Sequence, residues 1–158
     1  MKLINTFSAK SLFILISVLL LLNACVKPNT DALGAFSAAQ LINKTWAAEN
    51  INQRGIVDNA RVTIMFTEAE NIAGVSKGRV SGKSGCNNYA AKYEMTGNVL
   101  KIIPPMMGTK MMCVPAMTNL ENEYMATLTN ADKVSFSTTH ALIIHSLEGK
   151  SIVFRLAN

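Results

Sequence analysis

Through much of residues 61–156 apolar residues return at every second position, a spacing that suits an extended strand burying one face and fits no helix. In residues 61–67, Val62, Ile64 and Phe66 share one face and Thr63, Met65 and Thr67 the other. In residues 88–95 the apolar face is Tyr89, Ala91, Tyr93 and Met95, opposed by Ala90, Lys92 and Glu94. Shorter runs predict further strands at 46–51, 73–81, 99–103, 133–137, 141–145 and 151–156. Thr96-Gly97-Asn98 tolerates positive φ and should turn the 88–95 strand back into 99–103 as a hairpin. Glu148-Gly149 is a similar turn. Pro104 and Pro105 should end the 99–103 strand, because neither can donate to a ladder.

Two segments break the rhythm. Ser37 to Ile42 can cap and form one or two helical turns. Met117, Leu120, Tyr124 and Leu128 recur at three- and four-residue spacing, which predicts one amphipathic helix with Pro115 in its first turn. Thr118-x-x-Glu121 is a candidate capping box for that helix. The expected fold class is α+β, mainly β: a small antiparallel sheet or open barrel with one packed helix near residues 116–130.

The first 24 residues carry an address instead of a fold. Lys2 and Lys10 precede an uncharged apolar run over residues 11–22. A dozen residues is short of the roughly 20 that span a bilayer, and the layout is that of a secretory signal. Leu22-Asn23-Ala24-Cys25 resembles the lipobox of bacterial lipoproteins, which implies cleavage before Cys25 and lipidation of that residue. Residues 1–24 are thus read as a lipoprotein signal peptide, 25–36 as lipidated Cys and tether, and 37–158 as one domain. The acyl chains on such a cysteine hold a protein at the membrane without spanning it. By the sorting preference of such lipoproteins, Val26 in place of Asp implies the outer membrane, and the expected location is its periplasmic face.

Removing residues 1–24 leaves 134 residues and takes the net charge from +5 to +3 with the loss of Lys2 and Lys10. Scattered as it is, so mild a surplus argues against nucleic acid as a partner, which wants a dense basic stripe. The membrane, through the anchor, and an envelope protein or lipid are the partners expected.

Several residues together carry a further resemblance. Trp46, the run Gly82-Lys83-Ser84-Gly85-Cys86-Asn87-Asn88-Tyr89, the segment Thr109-Lys110-Met111-Met112-Cys113 and the helical set Met117, Glu121, Tyr124 and Leu128 resemble the META domain family. The likeness covers roughly residues 41–156, counting Leu142 and Phe154. Met112 stands where a small residue is more usual, and the pair Met106-Met107 is extra. The resemblance implies a small β-rich domain at the bacterial envelope, often lipid-anchored, with roles in stress tolerance and outer-membrane integrity. No reaction comes with it.

The remaining candidates for chemistry are few. In an oxidising compartment Cys86 and Cys113 pair by default, as a structural disulfide. Closing a loop of about 28 residues would stabilise the fold by on the order of 3.6 kcal/mol in the chain-entropy model. A pair held beyond bridging distance would leave free thiols instead. The alternative is a soft-metal site: Met106, Met107, Met111, Met112 and Met117 crowd around Cys113, and thioethers with thiolate select Cu(I). That reading makes the chain a periplasmic copper-handling protein. Against it, methionine is a flexible core filler, and alternate members of a strand face the core in any case.

His140 and His145 are five apart, on opposite faces of a strand, which argues against a shared ligand role. Gly82-Lys83-Ser84 fails as a phosphate loop because Lys77 stands where a glycine is required. Trp46, Phe66, Tyr89, Tyr93 and Phe154 read as core. No catalytic residue, metal or cofactor is assigned, and the chain is expected to act as a binding or scaffolding protein and not as an enzyme.

Overall fold

The computed structural model describes residues 36–57, 60–67 and 70–157. The signal peptide over 1–24, the lipidated Cys25 and all of the tether but Phe36 lie outside the described residues.

Ten strands follow a short 3-10 turn at Ala38–Gln40: β1 Thr45–Ile51, β2 Arg54–Gly55, β3 Arg61–Phe66, β4 Glu70–Ile72, β5 Val75–Gly85, β6 Asn88–Thr96, β7 Val99–Gly108, β8 Ala131–Phe136, β9 Leu142–Ser146 and β10 Ser151–Leu156. One helix, α1, spans Pro115–Thr129 between β7 and β8. Eight strands run in the order β1-β3-β5-β6-β7-β8-β9-β10, each antiparallel to its neighbours. The path closes because β10 pairs back onto β1, with Trp46 opposite Leu156 and Ile51 opposite Ile152. Between an open sheet and a barrel, the fold is therefore a barrel, and a closed one. Closure removes the two unpaired edges an open sheet would expose. β2 and β4 are short extensions paired to β1 and β5.

The alternating faces point as their sequence pattern requires. Val62, Ile64 and Phe66 of β3, Tyr89, Ala91, Tyr93 and Met95 of β6, Leu142 and Ile144 of β9, and Ile152 and Phe154 of β10 are all buried in one interior. Trp46 joins them, and its indole N–H donates to the Leu41 carbonyl at 3.4 Å. The 3-10 turn brings Leu41, fully buried, over one end of the barrel, where Phe36 and Trp46 pack against Phe136.

Helix α1 covers the opposite end. Leu120, Tyr124, Thr127 and Leu128 are its buried face. Asn52, in the β1–β2 turn, donates to Glu123 Oε1 at 2.8 Å, and Leu147 N–H after β9 donates to the Asn130 carbonyl at 3.0 Å. Pro115 does stand in the first turn, but the N-cap is Val114, whose side chain has no oxygen to offer. The Thr118–Glu121 capping box does not form: Thr118 Oγ1 lies against the Val114 carbonyl at 3.4 Å, and Glu121 turns toward the β5–β6 turn.

The prolines do not end β7. Lys92 stands opposite Ile103 and Ala90 opposite Met107, so three residues of β7 bulge where β6 has one. Pro104 and Pro105 sit in that bulge. Beyond it the strand resumes to Gly108, and its pairing to β8 is confined to Val99 opposite Lys133. A missing N–H therefore breaks no β8 ladder at either proline, which is where strands tolerate them.

Candidate functional site

Two runs of the sequence signature, 82–89 and 109–113, meet the helix α1 at one end of the barrel, while Trp46 packs at the other. The turn is tight, with Ser84 N–H donating to the Asn87 carbonyl at 2.8 Å. It needs Gly85, whose φ of +118° favours glycine and which lies against Leu120 of the helix. That geometry turns the Asn87 side chain inward, where it is 7% exposed.

Asn87 then reads both neighbouring elements. Its Oδ1 accepts from Thr109 Oγ1 and from the Met111 main-chain N–H, each at 2.8 Å. Its Nδ2 donates to Glu121 Oε1 and Oε2 at 3.0 and 3.2 Å. Glu121 also accepts from Asn87 N–H at 3.1 Å and from the Ser84 hydroxyl at 2.8 Å. Every partner of this carboxylate is a neutral donor, and the main-chain N–H among them cannot be turned away. The Cys86–Cys113 disulfide adds a covalent tie between the turn and the segment, with Cα atoms 6.3 Å apart.

A second polar cluster lies just inside the barrel. Lys83 N–H is taken by Thr63 Oγ1 at 3.1 Å, and the Thr63 carbonyl faces inward. It accepts from Tyr89 OH at 3.0 Å and lies 3.4 Å from Tyr124 OH, and the two hydroxyls bond each other. Gly82 makes room for this: a Cβ there would stand 2.0 Å from the Thr63 carbonyl oxygen. Burial pushes both phenols up from their ordinary pKa, Tyr89 further by the neighbouring Tyr124.

This arrangement holds structure together and offers little to a substrate. Ser84 is 1% exposed, and its hydroxyl is bonded to a carboxylate. Both cysteine sulfurs are bonded to each other, so Cys113 has no thiolate for copper. Among the described residues no group of three or more His, Cys, Asp or Glu side chains is placed to hold a metal. His140 lies in the β8–β9 turn with φ +60°, while His145 sits in β9 with Nε2 2.9 Å from Ser135 Oγ.

The methionines separate. Met106 packs on the core, Met117 is half-buried, and Met107, Met111 and Met112 are exposed. The sequence marks Asn87 only as a member of a motif, Glu121 as that and as a capping residue, and Tyr124 as part of the apolar face of the helix, and it gives Thr63 no role beyond one face of β3. The usable signal was chemical: polar side chains at turn and helix positions flanked by residues that must be buried.

On the outer face of β5, β6 and β7 two depressions adjoin, of about 770 and about 570 Å³, sharing Arg79 and Met107.

Comparison with solved structures finds this fold in a solution structure of a protein from Burkholderia xenovorans, 22% identical with a TM-score of 0.59, covering 76% of this chain and 86% of that one. A second solution structure, 20% identical with the same TM-score, covers 77% of this chain and 95% of its own. A comparison with curated proteins found none that matches. The META domain model matches residues 39–158. The elements that bear the signature are those the interior clamp ties together, and on that match the chain belongs to the META domain family.

Proposed function

We propose that this is a non-catalytic envelope lipoprotein, acylated on Cys25 and held at the periplasmic face of the outer membrane, whose barrel serves a binding or scaffolding role in envelope integrity or stress tolerance. The observation that carries the non-catalytic part is the occupancy of the signature residues: Ser84, Asn87, Glu121, Cys86 and Cys113 are all bonded to one another or to the main chain. A site built for turnover keeps donors or a nucleophile aimed at space for a reactant. Here the exposed chemistry lies on the outside of the barrel, where a partner would be met.

The anchor rests on the Leu22-Asn23-Ala24-Cys25 motif. Growing cells with a fatty-acid probe should label the wild-type protein and leave Cys25→Ser unlabelled; equal labelling of the two would end the lipoprotein reading. Exposure of three thioethers, Met107, Met111 and Met112, favours copper handling as the second reading. Native mass spectrometry after loading with Cu(I) tests it. A bound copper lost in Met111→Ser/Met112→Ser would put metal handling first, and a metal-free mass would remove it.

A further inference from the structure

Exposed cations on β5 and β6 flank a groove, and that groove adjoins the start of the segment that follows β7. On β5 and β6, Arg79 stands directly opposite Lys92 on the outer face, and both are exposed. Like charges placed so are unfavourable for the sheet itself. Among the described residues neither they nor Lys83 form an ion pair, whereas nearby Lys77 is neutralised by Glu94 at 2.8 Å. The groove beneath Arg79 and Lys92 has an apolar wall made by Ile103, Pro105 and Met107, with Glu70 on its rim. Met107, Gly108 and Thr109 then line the adjoining depression beside Lys83, so the groove reaches the start of the 107–114 segment.

That segment is apolar and stands in solvent. Met107 is 60%, Met111 59%, Met112 102% and Val114 61% exposed. It is also held in place, since Asn87 binds Thr109 and the Met111 main chain while the disulfide fixes Cys113. Apolar side chains exposed together and rimmed by polar residues mark an interaction surface. Beside unpaired Lys and Arg, they have the make-up of a surface that lies in a membrane interface.

We propose that the β5–β6–β7 face and the 107–114 segment dock the barrel onto an anionic phospholipid surface, with Met111, Met112 and Val114 entering the headgroup region and Arg79, Lys83, Lys92 and Lys110 facing lipid phosphates. This deepens the proposed function by giving the anchored barrel a second, non-covalent membrane contact. An acidic peptide would match the cations equally but would gain nothing from a protruding apolar tip; burial of such a tip in hydrocarbon is favourable by the ordinary hydrophobic effect. The bilayer is therefore the occupant that uses both halves of the surface.

The test uses residues 26–158, secreted without an anchor, because residues 36–158 form a compact unit with their own core and closed sheet. Failure here is thus separate from failure of the Cys25 label. Sedimentation with phosphatidylglycerol-containing vesicles should pull the domain down, while neutral phosphatidylcholine vesicles or high salt should not. Arg79→Gln/Lys92→Gln should weaken partitioning about thirty-fold. Met111→Ser/Met112→Ser should weaken it roughly tenfold with the salt dependence retained. Circular dichroism on each variant confirms that the barrel is intact. A domain that stays in the supernatant with anionic vesicles overturns the proposal, as does sedimentation that ignores both pairs of substitutions. Binding of a polyglutamate peptide without vesicle binding overturns it in favour of an acidic protein partner.

Discussion

Glu121→Gln keeps the shape of the side chain and changes one oxygen into a donor, which the clamp cannot accommodate. Glu121 receives the Ser84 hydroxyl, the Asn87 N–H and the Asn87 amide. A glutamine oxygen placed at Oε2 serves the first two and keeps the Asn87 amide at 3.2 Å, but its own nitrogen then stands 3.0 Å from Asn87 Nδ2, donor against donor. Turning the Asn87 amide over only moves the conflict, since its nitrogen would then meet the Met111 N–H now held at 2.8 Å. Reversing the glutamine instead sets its nitrogen against the Asn87 main-chain N–H. Ser84 can redirect its proton to the Asn87 carbonyl at 3.0 Å, but the main chain cannot turn.

One donor–donor contact therefore stays in the clamp and every bond to the former carboxylate loses its charge assistance, a loss of about 2–3 kcal/mol. For a domain near this size that is a fall of roughly 10 °C in Tm. Urea unfolding should show a lower midpoint with unchanged m-value. Asn87→Ala should also destabilise, yet the double variant should be at least about 1 kcal/mol better than the sum of the two, because removing the Asn87 amide also removes the clash. Glu148→Gln, in an exposed pair with Lys150, is the control, expected within about 0.5 kcal/mol of wild type. Glu121→Gln unfolding within about 0.5 kcal/mol of wild type, or strict additivity with Asn87→Ala, would refute the reasoning.

Replacing both Cys86 and Cys113 by Ser should lower stability by on the order of 3.6 kcal/mol through the reopened loop of about 28 residues, read by urea unfolding; an unchanged midpoint would show that the clamp alone restrains the loop. All three tyrosines have pKa values raised by burial in the folded protein. Their contribution is therefore intact below the unfolded value near 10 and is lost as pH rises above it, by about 1.4 kcal/mol per tyrosine per pH unit until the folded value is reached. Tyrosinate absorbance should accordingly appear together with alkaline unfolding; an ordinary titration near pH 10 with the near-ultraviolet circular dichroism preserved would contradict the buried placement. Gly82→Ala puts a methyl group 2.0 Å from the Thr63 carbonyl oxygen and should cost about 3 kcal/mol or more, with tolerance of that change in thermal unfolding arguing against the inward carbonyl.

Much of the fold was legible because alternation is a local property. The face bearing Val62, Ile64 and Phe66 is the buried face of β3, and the Thr96-Gly97-Asn98 turn has Gly97 at φ +57° as its residue types require. The run of Pro104 and Pro105 misled for an equally physical reason. A proline excludes a donor, but whether a strand needs that donor depends on which strand lies beside it, and β8 does not pair there. Thr118-x-x-Glu121 misled in the same way. As a local pattern it is a capping box, while in space three donors from the β5–β6 turn reach Glu121 first.

The residue order alone determines the periodicities: eight strands, one helix near residues 116–130, the tight turns, two cysteines available to pair, and an N-terminal motif read as an address. Each of these depends on neighbours within a few positions. Tertiary structure decided the rest, because the deciding partners are far apart in the chain. Closure rests on Trp46 meeting Leu156, the clamp on Asn87 meeting Glu121, and the inward Thr63 carbonyl on Tyr89 and Tyr124 converging where Gly82 leaves room. Only the assembled barrel, too, sets Arg79 beside Lys92 and leaves Met111 and Met112 in solvent, since a strand's outward face acquires its neighbours only when the strands pair.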